Sequence, residues 1–124
     1  MNKMQQMVQD FHKKYNHSIG YSPSILQPEL LKFRLDFLQE ELNEIICASK
    51  NSDLIGICDG IGDLLYVTFG MCVCMGIDIE PMFEEIHRSN MSKDSPIGPT
   101  NKPIKGENFS LPNIVKEIDK QRNK

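Results

Sequence analysis

The chain has 124 residues, 40% apolar and 25% charged, which fits one globular domain and excludes a disordered chain. A formal net charge of −3 gives no basic footprint for a nucleic-acid polymer. The charge is uneven: residues 1–92 carry 7 basic and 13 acidic side chains, residues 93–124 carry 7 basic and 4 acidic, and an acidic body with a basic end suits a metal site and an anionic ligand.

The chain opens Met-Asn-Lys-Met-Gln-Gln, without the apolar core of a signal peptide. Over residues 2–16, Met4, Met7, Val8, Phe11 and Tyr15 recur at spacings of three and four, which predicts a first helix with one apolar face. His17 to Gln27, with Gly20, Ser22, Pro23 and Ser24, reads as a loop. His12 and His17 have no partner pattern and are expected at the surface.

Pro28 suits the first turn of a second helix, whose apolar stripe is Leu31, Leu35, Leu38, Leu42, Ile45 and Ile46. At about 100° per residue, Glu41 and Glu44 fall on the edge of that stripe. Lys32, Gln39 and Asn43 lie opposite it. Asn51-Ser52 ends this helix, and Ser52 or Asp53 caps the next.

The third helix, from about Asp53 to Met75, stops at Gly76. It is apolar nearly all round and is expected to be the most buried element. Gly56, Gly60 and Gly62 lower its helix propensity by about 1 kcal/mol each, and close approach of a neighbour is the compensation expected. Its most apolar run, Leu64 to Met75, is shorter than the roughly 20 residues a bilayer requires. Cys47, Cys58, Cys72 and Cys74 form no CxxC pair and read as small buried hydrophobes in a reducing, cytoplasmic setting.

A fourth helix opens at Asp78, carries Pro81 in its first turn and ends near Ser89 to Ser92. Pro96, Pro99, Pro103, Pro112, Gly98 and Gly106 then mark an extended segment, with a short amphipathic helix around Ile114, Val115 and Ile118. No strand-like alternation occurs. The expected class is all-α: a four-helix bundle over residues 1–93 and a tail over 94–124 acting as a lid or an oligomer arm.

The chemistry concentrates in two acidic clusters, Glu40-Glu41-Leu42-Asn43-Glu44 and Asp59-Gly60-Ile61-Gly62-Asp63. A short turn makes their helices antiparallel neighbours, and the two clusters lie at similar distances from it, so Glu41, Glu44, Asp59 and Asp63 can meet. Like charges brought together this way need a cation, and an all-oxygen ligand set selects Mg²⁺ or Mn²⁺. The plainer reading is a solvated acidic face. Glu84-Glu85-Ile86-His87 offers one Glu-x-x-His, but a di-iron bundle needs two. Arg88 and Lys93, with Lys102 and Lys105, are the cations available for phosphate oxygens, and Asn90 is a neutral donor. Their ordinary reading is helix-end and solvated charge.

These two clusters, followed by Leu64-Leu65-Tyr66 and by His87-Arg88-Ser89-Asn90-Met91-Ser92-Lys93, resemble the MazG-like all-α nucleotide pyrophosphohydrolases. That superfamily includes phosphoribosyl-ATP pyrophosphohydrolase and the dimeric dUTPases. The resemblance spans about residues 2–110. It implies hydrolysis of a nucleoside triphosphate between its α and β phosphates. It also implies Mg²⁺ on Glu41, Glu44, Asp59 and Asp63, with Glu40 as a further ligand or as the base. Glu40 and Glu41 are thus the catalytic candidates, and Arg88, Asn90, Lys93, Lys105 and Tyr66 the substrate-binding ones. Many relatives have EExGD, with glutamates where this chain has Asp59 and Gly60, and Gly60 cannot coordinate. A homodimer or homotetramer is implied too, with no membrane partner. The alternative is a catalytically weak nucleotide-binding or regulatory module of the same fold. No residue spells out which base or sugar is preferred.

Overall fold

The structure is a computed structural model that describes residues 1–96 and 99–124. Gly98 of the expected extended segment lies outside the described residues. Among these residues the chain is all-α, with helices α1 (Lys3–Lys14), α2 (Pro28–Lys50), α3 (Leu54–Met75), α4 (Ile79–Met91) and α5 (Ile114–Arg122). They fall into two compact units, Met1–Ile79 and Glu80–Lys124.

The first unit is built on the α2–α3 hairpin. Pro28 occupies the first turn of α2, where its missing N–H costs nothing. Ser52 takes a left-handed φ of 51° in the connection. Asp53 then caps α3, its carboxylate accepting from the Gly56 N–H at 2.9 Å. Gly60 lets α3 close on α2: a Cβ there would stand 2.6 Å from Ile45 Cγ1. Farther along, α1 packs on α3 at Gly70, where a Cβ would meet His12 Nε2 at 3.3 Å and Val8 at 3.8 Å. The α1–α2 loop straps the end of α3, with Gly20 N–H donating to Val73 O and Ser24 N–H to Met75 O. Gly76, at φ 70°, ends α3, a conformation that Cβ-bearing residues avoid. Gln5 fastens α1 to the same corner, donating to Ile77 O at 2.7 Å and accepting from Ile79 N–H at 3.1 Å.

In the second unit, Glu85 accepts from Arg88 and from the backbone N–H of Asn113, tying α4 to the start of α5. The segment between them is tethered by an Asp94–Ile104 bridge and by Ser110 N–H donating to Ser92 Oγ.

Four expectations are corrected. The third helix is not evenly buried: Gly70 and Cys72 to Cys74 are covered, but Leu54 and Ile55 are 72% and 83% exposed and Ile61 and Leu65 about half exposed. Only part of its surface is met by α1 and α2 in a single chain. The apolar stripe of α2 is likewise incomplete, with Leu35, Leu42 and Ile46 exposed. Among the cysteines, Cys72 and Cys74 are buried but Cys47 and Cys58 are exposed, because they lie near the open turn of the hairpin. His12, expected at the surface, is 2% exposed under the loop it helps to hold. As a continuous helix of 22 residues, α3 is long and apolar enough to cross a membrane by length and composition, a length the run from Leu64 alone did not suggest. Asp59 and Asp63 lie within this helix, and Asp63 joins two glutamates of α2.

Candidate metal centre and adjoining cavity

The hairpin geometry brings Glu41, Glu44 and Asp63 together. One carboxylate oxygen from each lies within 4.8 Å of the others. The register follows from Gly60 seated on Ile45: Glu44 and Glu41 precede that contact on α2 by one residue and by one turn, and Asp63 follows it by about one turn on α3. Glu41 Oε2 is buried and no donor reaches it. Burial, contact with the Glu44 carboxylate, and the charges of Glu44, Asp63 and Glu40 push the Glu41 carboxyl up to about 7. Burial, followed by Asp59 and Glu44, also raises Asp63. Ionised carboxylates only accept hydrogen bonds, so these oxygens converge stably only around a proton or a cation. An orphaned buried carboxylate oxygen beside two more oxygens is a donor set fitted to a hard divalent cation.

Not every predicted acid joins this triad. Asp59 is exposed and one turn away, acting on Asp63 through its charge. Glu40 is exposed beside Glu41. The remaining candidates divide between the units. Tyr66 stands one turn beyond Asp63, in edge-to-face contact with Phe11 at 5.5 Å. Arg88, Asn90, Lys93 and Lys105 belong to the second unit. Arg88 is engaged there, donating to Glu85 at 2.7 and 3.0 Å and to Leu111 O at 3.0 Å. The Lys105 ammonium lies over the Phe109 ring, 5.3 Å from its centroid.

A cavity of about 270 Å³ lies in the same unit, with walls that include Phe11, Phe37, Tyr66 and Val67 and with His12, His17 and Arg34 among its polar groups. Phe37 precedes Glu41 by one turn on α2, and Tyr66 and Val67 follow Asp63 by one turn on α3, so cavity and triad share the same two helices. Arg34 and His12 were missed by the sequence reading. A signal existed: Arg34 occupies a position of the Leu31–Leu35–Leu38 stripe, and His12 follows Val8 by four on the face of α1.

The profile of the phosphoribosyl-ATP pyrophosphohydrolase family matches residues 8–90. An uncharacterized protein of Acanthamoeba polyphaga mimivirus is 30% identical over 121 residues, covering 93% of this chain and 47% of that protein. The chain thus spans about half the length of that relative.

Proposed function

Since the chain belongs to the phosphoribosyl-ATP pyrophosphohydrolase family, within the all-α NTP pyrophosphatase (MazG-like) superfamily, we propose that it is a metal-dependent nucleoside triphosphate pyrophosphohydrolase. The reaction is cleavage between the α and β phosphates, giving the nucleoside monophosphate and pyrophosphate. The observation that carries this reading is the convergence of Glu41, Glu44 and Asp63 around the partnerless Glu41 Oε2. Family membership implies the nucleotide chemistry, and the triad supplies a place for it.

When bound, Mg²⁺ or Mn²⁺ supplies charge neutralisation on the phosphate oxygens and acidifies a bound water. Glu41, Glu44 and Asp63 would hold the ion, with Asp59 as a reserve carboxylate one turn away. Glu40, exposed next to Glu41, would take the proton of the attacking water as the water oxygen bonds to the α phosphorus and pyrophosphate departs. Tyr66 faces the cavity where the rest of the nucleotide would lie. Arg88, Asn90, Lys93 and Lys105 are the phosphate-binding candidates by their residue chemistry and by the resemblance, and Arg88 would first have to leave Glu85. A cytoplasmic setting accords with four free thiols.

The test is pyrophosphate release from a panel of NTPs and dNTPs with Mg²⁺, with Mn²⁺ and with chelator. Metal-dependent pyrophosphate and monophosphate in equal amounts are expected. A second reading, a nucleotide-binding module with weak catalysis, is favoured by one observation: Gly60, buried against Ile45, stands where many relatives place a glutamate. Nucleotide binding with no metal-dependent release would select it.

A further inference from the structure

One buried titratable side chain takes no part in the acidic triad. His12 of α1 is 2% exposed. Its Nδ1 lies 2.8 Å from Ser18 O, a carbonyl that can only accept, so Nδ1 carries the proton. The Cys74 thiol donates to the same carbonyl at 3.5 Å. Ser18 is thereby fastened to α1 and to α3 at once, just ahead of the loop's backbone bonds from Gly20 to Val73 O and from Ser24 to Met75 O.

The neutral ring has one place left for a second proton, Nε2. That atom faces Gly70, where a Cβ would stand 3.3 Å from it and 2.9 Å from Arg34 Nη1. A second proton would therefore arrive on the side of the ring that a permanent cation occupies. The surroundings offer it no counter-charge. His17 of the loop, with its ring centroid 5.4 Å away, is another basic group. Cys74 and Tyr66 of α3 are both raised by burial and stay uncharged, and Arg34 hydrogen-bonds the Cys74 sulfur. Tyr15, on the same helix as His12, packs on His17. Among the described residues no carboxylate acts on His12. Burial above all holds His12 below its ordinary 6.5; the Ser18 carbonyl opposes this, and the charges of Arg34 and His17 add to it.

We propose that His12 is a pH-sensitive latch: neutral, it clamps the α1–α2 loop through Ser18, and protonated, it releases the loop and opens the cavity that His12 and His17 line. The charged ring keeps its Nδ1–H, but it must sit dry beside Arg34 for as long as the loop is closed. Lifting the loop lets water reach it. The latch stands apart from the pyrophosphohydrolase reading and from the carboxylates. With the loop open, His12 titrates near its ordinary 6.5, and with the loop closed, lower. The closed loop is therefore fully favoured above 6.5. Its advantage falls about tenfold per pH unit as pH drops from 6.5 to the closed-state value, and levels off below that.

The experiment follows hydrogen exchange of the Gly20 and Ser24 amides by NMR, on the full chain in chelator, from about pH 5 to about pH 8, with intrinsic exchange rates divided out. Protection should be flat above about pH 7 and drop about tenfold per pH unit below 6.5. Amides in the middle of α2 and α3 should keep theirs, since the raised carboxyls of Glu41 and Asp63 favour the folded hairpin as pH falls. His12→Asn offers Ser18 O an amide N–H from the same branch position and does not titrate, so the pH dependence should vanish. His17→Gln should keep it. Should His12→Asn not fold, the His12 ring nitrogens of ¹⁵N-labelled wild type give the answer: their change to the charged pattern must coincide with the loss of protection. Flat protection in wild type, an equal loss in the helices, or a ring transition at a different pH overturns the proposal. So does an unchanged decline in folded His12→Asn, and a decline abolished by His17→Gln makes His17 the sensor instead.

Discussion

Glu41 shows what a single side chain contributes at this site. Its carboxyl is pushed up to about 7 from an ordinary 4.5, so between those values the folded state binds the proton more tightly than the unfolded chain. Stability of the metal-free protein should therefore be greatest for this group below pH 4.5, fall as pH rises toward 7, and level off above that. Asp63 is raised and acts in the same direction. Glu41→Gln should flatten the decline; melting temperatures taken in chelator from pH 4.5 to 7.5 check this, and parallel curves for wild type and variant would refute it. Glu44→Gln and Asp63→Asn each remove one repulsive charge and one ligand together. Without metal they should melt at or above wild type. Their Mg²⁺-dependent gain in melting temperature should shrink from the roughly 2.7 kcal/mol expected at a hundredfold excess over the dissociation constant. Pyrophosphate release should drop by orders of magnitude. Variants that melt lower without metal and hydrolyse normally would make these carboxylates structural.

At the scale of the element, the spacing of α2 and α3 decides whether the carboxylates meet. Gly60 and Gly62 separate two roles that look alike in the sequence. An alanine Cβ at Gly60 would sit 2.6 Å from Ile45 Cγ1, whereas nothing lies within 4 Å of one at Gly62. Gly60→Ala should cost about 1–3 kcal/mol through overpacking and should weaken Mg²⁺ binding as the helices separate. Gly62→Ala should stabilise by about 1 kcal/mol through helix propensity alone. Denaturant unfolding measures both, and equal effects of the two substitutions would show that the hairpin does not depend on close approach at Gly60.

For the whole molecule, the unfinished burial of α3 points to assembly. Leu54, Ile55, Ile61 and Leu65 of α3 and Leu42 and Ile46 of α2 expose apolar surface on the first unit, more than scattered surface hydrophobes on a monomer require. The expected outcome is a homo-oligomer in which a second copy covers this surface. Light scattering at micromolar concentration tests it; a folded monomer would mean that the surface serves something else.

What was legible in the sequence was local. Hydrophobic periodicity placed the helices, Pro28, Asp53 and Gly76 marked their ends, and the short turn at Ser52 set α2 against α3, because each of these depends on neighbours within a few residues. The acidic spacing followed from the same arithmetic and predicted the meeting of Glu41, Glu44 and Asp63. The tertiary structure alone decided which members of a set are covered. Asp59, though one turn from Asp63 on the same helix, is exposed and stays outside the triad, acting on Asp63 through its charge. Cys58 is exposed where Cys72 is buried, because α1 and its loop reach only the far end of α3. His12 and Arg34 are enclosed because three segments distant in sequence close over them, and periodicity within any one segment carries no record of the other two.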